Sequence, residues 1–111
     1  MKTRHEIIFS DSGDMKQVPE ESVDLLVTSP PYPMIEMWDG MFSQQRASVK
    51  KSLEKGDGEK AFEIMHKILD KTWKEVYRVL KKGGFACINI GDATRTLNSN
   101  FALYSNHSRI C

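Results

Sequence analysis

The part of this sequence with the clearest chemical character is the run Thr28-Ser29-Pro30-Pro31-Tyr32. Within five residues it offers side-chain hydroxyls, backbone carbonyl oxygens and one aromatic ring. Each proline fixes its own φ angle and biases the preceding residue towards an extended conformation. The run is therefore stiff, and it can present hydrogen-bond acceptors and one aromatic face in a fixed geometry without reorganising.

The place of this run along the chain also suggests a site. It directly follows Ser22–Val27, whose nearly continuous apolar residues predict a strand buried on both faces, as in a parallel sheet. The strand must end there, because Pro30, Pro31 and Pro33 cannot donate to a hydrogen-bond ladder. In open α/β sheets ligands bind outside the carboxyl ends of the strands, so a site is expected at this end.

The other elements must form the sheet that holds this site. Glu6–Phe9 is apolar and stops at the turn-forming Ser10–Gly13, which predicts a first strand. Glu59–Lys82 has apolar residues at helical spacing, and the glycine pair 83–84 is typical of a helix end. Phe85–Ile90 then predicts a third strand. Strand, connection, strand, long helix and strand indicate an α/β domain with a parallel sheet and right-handed crossovers.

Two regions give weaker signals. Residues 34–58 are interpreted as a short helix or loop followed by a mobile linker, and residues 93–111 as a polar tail. Trp73 on the helix and Cys87 in the third strand are expected in the core. The basic stripe of the long helix is expected to be its solvated face rather than a phosphate-binding surface; it consists of Lys60, Lys67, Lys71, Lys74, Arg78 and Lys82.

Few other side chains have a spacing that suggests chemistry. Trp38 follows the proline-rich run closely and is assigned to packing, with a role in shaping a pocket as the alternative. Asp92 ends the third strand beside the expected site, and its role is left open. No metal site is predicted, because no metal-ligand spacing occurs among His5, His66, His107, Cys87 and Cys111.

Composition excludes several classes of protein. The chain has 111 residues, 40% of them apolar and 28% charged, which is typical of one small globular domain. Its net charge of +1 argues against a free-standing nucleic-acid binder, which normally has a basic excess. No apolar run approaches the roughly 20 residues of a membrane span, and the polar start argues against a secretory signal. We therefore expect a cytoplasmic protein without membrane association.

The proline-rich run and its surroundings resemble the amino-group DNA methyltransferases, in which a Ser, Asp or Asn precedes Pro-Pro and then Tyr or Phe. The run-up Ser10-Asp11-Ser12, Met15, Pro19 and Ser22–Leu25 is similar to that of these enzymes. The stretch Val79–Phe85 resembles their helix-to-strand junction, which methyltransferases share generally. The resemblance covers roughly residues 6–92. It implies a partial Rossmann-like methyltransferase fold, a parallel sheet with flanking helices.

The resemblance implies roles for individual residues. The Ser29 hydroxyl and the Pro30 carbonyl would accept hydrogen bonds from the amino group of a target base, within the rigid turn that Pro31 completes. Tyr32 would stack on that base, flipped out of double-stranded DNA. Asp11 would lie near the adenine of S-adenosylmethionine, with a turn aspartate as the alternative. Thr-Ser before Pro-Pro-Tyr looks like the cytosine-N4 branch of site-specific, restriction–modification enzymes, and adenine-N6 methylation is the closest alternative.

One feature of the family is missing from the sequence. A glycine-rich Phe-x-Gly-x-Gly loop should hold the cofactor, and Gly56-Asp57-Gly58 is a poor candidate because no strand precedes it. The chain is therefore interpreted as the catalytic-motif part of a methyltransferase, truncated or split, whose second polypeptide would carry the cofactor loop. An inactive remnant is the rival interpretation. Residues 1–111 then divide into a strand-turn-strand with the catalytic loop (6–33), a loop or linker (34–58), a helix and strand (59–92) and a truncated tail (93–111).

Overall fold

The two strands next to the proline-rich run form a parallel pair. The structure, a computed structural model, describes residues 2–111. Strand β1 (Val23–Thr28) pairs with β2 (Leu80–Ile88), and Thr28 lies beside Ile88. The N–H of Asn89 donates to the Thr28 carbonyl oxygen over 2.9 Å, which carries the pairing to the point where the run begins. The parallel α/β arrangement predicted from the sequence is confirmed.

The long helix α3 (Gly58–Val79) lies between these strands in sequence and forms the centre of the core. It begins at Asp57, whose side chain accepts the Lys60 N–H over 3.1 Å as an N-terminal cap. The prediction of this helix is confirmed, but its end at Lys82 was wrong. Its buried face consists of Gly58, Ala61, Met65, His66, Ile68, Leu69, Val76 and Val79.

The glycine pair that was predicted to end the helix lies inside β2 instead. Gly83 has φ +80°, and a Cβ on Gly84 would stand 3.1 Å from the Asp24 carbonyl oxygen of β1. The strand register shifts here, between Val23 and Leu25. The glycines therefore permit an irregularity in a close strand pair rather than a helix cap.

Residues 34–58 are mainly helical, so the short helix that was one alternative for this region is present, and the mobile linker was wrong. A 3-10 turn (Glu36–Trp38) leads into α1 (Asp39–Gln45) and α2 (Ala47–Glu54). Phe42 and Val49 are fully buried in the core cluster built around α3. A few apolar residues are enough to pack these otherwise polar helices against α3. The polar composition of the region made a helical pattern hard to detect in the sequence.

Residues 93–111 are also ordered, which corrects their interpretation as a polar tail. Strands β3 (Ala93–Leu97) and β4 (Asn100–Tyr104) form an antiparallel hairpin, followed by the short helix α4 (Asn106–Ile110). The hairpin turns at Asn98 and Ser99, which have φ +46° and +68°. A bidentate ion pair from Arg95 to Asp39, at 2.6 and 2.8 Å, ties the hairpin to α1.

Residues 6–9 do not form the predicted first strand. Ile7 and Phe9 are 77% and 93% exposed, and no strand in residues 2–111 pairs with this segment. Strand structure depends on a neighbour that completes the hydrogen-bond ladder, which local β propensity cannot replace. The segment has the apolar pattern of a strand, but no strand among the described residues pairs with it.

One face of the two-stranded sheet is open to solvent. Leu25, Val27 and Phe85 are 56%, 73% and 70% exposed, and Cys87 on the same face is also exposed. The predictions of a β1 buried on both faces and of a core position for Cys87 were therefore wrong. We call the face formed by Leu25, Val27, Phe85 and Cys87 the bare sheet face.

The segment before β1 is held along α3 by two charged side chains. The Met15 N–H donates to a Glu75 carboxylate oxygen over 2.6 Å, and Arg78 donates to the carbonyl oxygens of Met15 and Val18 over 2.8 and 3.1 Å. Arg78 also pairs with Glu75, and this pairing together with the Met15 N–H lowers the pKa of Glu75. Arg78 is thus a structural clamp, although the other members of its predicted basic stripe are exposed.

Trp73 packs against the core from a partly buried position, in line with its assignment. Within residues 2–111, no helix combines the length and the apolar character needed to cross a membrane.

The start of α3 gives a test of this packing. A Cβ on Gly58 would collide with the hydroxyl of the buried Tyr104, so Gly58→Ala should lower the free energy of unfolding by about 1–3 kcal/mol. Gly40→Ala is the matched control, because nothing lies within 4 Å of a Cβ there. It should be neutral or stabilise α1 by about 0.5–1 kcal/mol. Urea unfolding measures both, and equal effects at the two glycines would contradict the packing of Tyr104 on Gly58.

Candidate functional site

The loop after β1 is fixed at both of its ends. We call residues 28–33 the catalytic loop, after the role that the resemblance implies for them. Its first carbonyl accepts from Asn89, directly after β2, and it ends at the buried Pro33, which the buried Met34 follows. Met34 adopts φ +69°, and its N–H contacts the Met65 sulfur of α3 at 3.4 Å. Between these anchors Ser29 is exposed, and Pro30, Pro31 and Tyr32 are half-buried. The middle of the loop is therefore accessible to solvent, while contacts to the turn after β2 and to α3 hold its two ends.

Three of the predicted site residues line one open pocket of about 470 Å³. Ser29, Pro30 and Tyr32 form one part of its wall. The rest is formed by Ile35, which precedes the 3-10 turn, and by Met37 and Trp38 within it. We call it the Tyr32 pocket. Its lining is mainly apolar and aromatic with one hydroxyl, which is typical of small-molecule sites. Trp38 both packs against the core, as assigned, and lines this pocket, which was the alternative.

The other two predicted site residues meet in a second pocket, of about 240 Å³. Asp11 and Pro31 line it together with Ser12 and apolar side chains of α1 and α3, and we call it the Asp11 pocket. Pro30 and Pro31 thus face different pockets, one on each side of the same rigid turn. Asp11 also accepts the Gly13 N–H over 2.7 Å, the turn contact that was its alternative role.

The turn after β2 contacts the catalytic loop. A Cβ on Gly91 would stand 3.4 Å from a ring carbon of Tyr32, so this backbone lies against the ring. Asp92 next to it accepts the backbone N–H of His107 over 3.1 Å and pairs with the ring Nδ1 at the same distance. The backbone N–H is the main cause of the lowered pKa of Asp92. Asp92, whose role was open, therefore holds the start of α4.

Two buried polar residues next to the loop were missed at the sequence level. Asn106 donates from Nδ2 to the carbonyl oxygens of Pro33 and Gly91, and its Oδ1 lies 2.8 Å from Nε2 of His66. Both side chains are fully buried. Burial lowers the pKa of His66 by more than the hydrogen bond to Asn106 raises it. The one available sequence signal was the position of His66 beside Met65 on the apolar side of the helix.

The buried His66 should make the stability of the chain depend on pH. Its folded pKa is lowered, so below about pH 6.5 the unfolded chain binds a proton that the folded chain does not. Stability should be greatest above this pH and fall as the pH drops towards the lowered pKa. Thermal unfolding should show a smaller loss on acidification in His66→Gln, with the exposed His5→Gln as control. An unchanged loss in His66→Gln would contradict a buried neutral ring.

The described residues contain no group of three or more His, Cys, Asp or Glu side chains arranged to hold a metal ion. The candidate site consists of the catalytic loop and the pockets on either side of it.

Comparison with known proteins places this loop in a family. The family described as DNA methylase, N6_N4_Mtase, matches residues 23–108, a span that begins at β1 and includes the catalytic loop and Asn106. The chain belongs to this DNA methylase family. The resemblance carried by the proline-rich run is thereby confirmed, together with a partial methyltransferase fold.

Two curated relatives match almost the whole of this methylase chain. It is 47% identical over 110 residues to the Type II methyltransferase M.MthZI of Methanothermobacter thermautotrophicus, covering 98% of this chain and 31% of that protein. It is 48% identical over 119 residues to the Type II methyltransferase M.MjaI of Methanocaldococcus jannaschii, covering 97% of this chain and 39% of that protein. The chain thus spans about a third of the length of these relatives. No solved structure matches it significantly.

Proposed function

We propose that this chain supplies the catalytic loop of a site-specific enzyme that methylates the N4 amino group of cytosine in double-stranded DNA. The observation that supports the proposal is the Tyr32 pocket, which Ser29, Pro30 and Tyr32 line together. The serine before Pro-Pro-Tyr favours cytosine, since adenine-N6 enzymes more often have Asp or Asn at this position.

The proposed chemistry follows from the weakness of an amino group on a base as a nucleophile. Its lone pair is conjugated with the ring. Acceptors at Ser29 Oγ and the Pro30 carbonyl oxygen would engage its N–H bonds and direct the lone pair away from the ring. Because Pro30 and Pro31 restrict the backbone, these acceptors need little reorganisation when charge develops on nitrogen. Tyr32 would hold the flipped base by stacking, which contributes about 1–3 kcal/mol.

The cofactor proposed is S-adenosylmethionine, which supplies the methyl group when bound. The Asp11 pocket offers a carboxylate, a proline and the apolar Met41 and Phe42, a combination that suits the flat adenine end. Its volume of about 240 Å³ lies below the roughly 300–1,000 Å³ of complete ligand sites. The residues present thus fit one end of this cofactor. We propose that a second segment or polypeptide, carrying a glycine-rich loop, holds the other end.

A chimera tests the proposal. This chain replaces the matching third of M.MthZI, the identity of 47% making such an exchange practicable. Methylated DNA is then digested to nucleosides, with the unmodified relative as a parallel control. We expect N4-methylcytosine from the chimera. N6-methyladenine alone would overturn the choice of base, and an inactive chimera beside an active relative would overturn the proposed catalytic loop.

A further inference from the structure

Asn106 bonds both to the end of the catalytic loop and to the turn after β2. Its two Nδ2 hydrogens go to the carbonyl oxygens of Pro33, over 3.1 Å, and Gly91, over 2.9 Å. Tyr32 lies between these two points, since Pro33 follows it in sequence and Gly91 lies against its ring. A displacement of either carbonyl would move the aromatic wall of the Tyr32 pocket.

The geometry fixes the orientation of the Asn106 amide. A flipped amide would place Oδ1 against two carbonyl oxygens, which have no hydrogen to donate. Oδ1 must therefore face His66, and His66 must carry its hydrogen on Nε2 to donate across the 2.8 Å contact. Nδ1 of His66 is buried without a partner among the described residues, which suits the bare nitrogen of a neutral ring. His66 thus orients Asn106.

Docking of α4 does not depend on this amide alone. Arg109 joins α4 to Glu63 and Asp70 of α3 through contacts of 2.9 to 3.2 Å, and Asp92 holds the start of the helix. The bonds from Asn106 to two loop carbonyls are additional to these. Because the contacts that dock α4 and the contacts that reach the loop come from different side chains, a positioning role can be separated from a role in stability.

We propose that Asn106, oriented by His66, is a positioning residue that sets the place of the catalytic loop and hence of Ser29 and Tyr32. The part of the proposal that concerns catalysis rests on the function proposed above. The structural part, a clamp made by one amide and one neutral imidazole, is independent of that function and can be measured on this chain alone.

The substitutions follow from the hydrogen-bond pattern. Asn106→Asp keeps the shape but puts carboxylate oxygens against two carbonyls, and Asn106→Leu removes the hydrogen bonds. His66→Gln keeps an N–H donor near the position of Nε2, whereas His66→Leu removes it. Arg109→Gln is the matched control, because it weakens the docking of α4 without touching the loop carbonyls.

The first measurement is nitrogen NMR on the chain itself. We expect His66 as the Nε2–H tautomer and slow solvent exchange of the Asn106 amide hydrogens. Exchange should accelerate in His66→Leu and be largely restored in His66→Gln. A His66 ring protonated on Nδ1 alone, or Asn106 hydrogens that exchange as fast as those of an exposed asparagine, would overturn the clamp whatever the activity of the enzyme.

The second measurement is the single-turnover rate of the M.MthZI chimera, taken at a temperature where every variant is folded. We expect Asn106→Asp and Asn106→Leu to lower the rate by about 10- to 100-fold, the scale of an ~1 Å misplacement, with nearly unchanged binding of S-adenosylmethionine. His66→Leu should lower the single-turnover rate, and His66→Gln should largely preserve it. Arg109→Gln should lower stability and leave the rate unchanged.

Equal rate losses in Arg109→Gln and Asn106→Leu would overturn the positioning role and assign Asn106 to structure alone. An unsubstituted chimera without activity contradicts the proposed function instead. In that case the tautomer of His66 and the solvent exchange of the Asn106 amide hydrogens still test whether the clamp exists.

Discussion

Ser29→Ala in the chimera should lower the single-turnover rate of methyl transfer by about 10²–10³-fold, the range found when one preorganised group at a reacting centre is removed. In the proposed mechanism the Ser29 hydroxyl acts on the amino group of the base mainly as charge develops on nitrogen, so the loss of rate should fall on the chemical step. Binding of S-adenosylmethionine should stay nearly intact, because Ser29 lines the Tyr32 pocket and not the Asp11 pocket.

Tyr32→Ala provides the contrast. Loss of stacking should weaken retention of the flipped base by about 1–3 kcal/mol, measured as DNA affinity. Single-turnover rates at saturating DNA separate the two variants. If Ser29→Ala kept full turnover under these conditions, Ser29 would not be an acceptor in the reaction.

The second large effect concerns the chain by itself. We expect it to transfer no methyl group and to bind S-adenosylmethionine more weakly than micromolar. Asp11 could add one or two hydrogen bonds of about 1 kcal/mol each, against a cost of several kcal/mol for immobilising a ligand. The net charge of +1 also gives little attraction to phosphates, which supply much of the affinity for DNA.

Titration calorimetry on the purified chain measures this binding, and the chimera is the positive control. The bare sheet face makes light scattering a necessary companion measurement, since exposed apolar strands favour association. Micromolar binding of S-adenosylmethionine by the monomeric chain would show that the Asp11 pocket is a more complete site than its volume indicates.

The position of the loop after β1 could be predicted because its sequence signal is local. Two successive prolines cannot donate to a hydrogen-bond ladder, so an apolar run followed by Pro-Pro-Tyr predicts a strand end without knowledge of its neighbours. The long helix α3 could be predicted equally well, since eight buried residues recur along one of its faces. The convergence of Ser29, Pro30 and Tyr32 on one pocket followed from their proximity in sequence.

Other features depend on contacts that local patterns do not show. Residues 6–9 have strand character and lack a pairing partner in the described chain, whereas polar α2 is ordered by packing against α3. The glycine pair 83–84 has the composition of a helix end but serves a close approach between two strands. The role of Asn106 could not be predicted from the sequence, because it depends on hydrogen bonds to carbonyl oxygens that are distant along the chain.

The contact between Asn106 and Pro33 spans 73 residues, and this separation has a consequence for synthesis on the ribosome. At roughly 5–20 residues per second, translation would make the catalytic loop roughly 4–15 s before it makes Asn106. During that interval β1 also lacks β2, since its partner residues are translated late as well. A nascent chain would therefore carry a complete Pro-Pro-Tyr motif without a formed pocket, and the order of the loop would be established only near the end of this segment's translation.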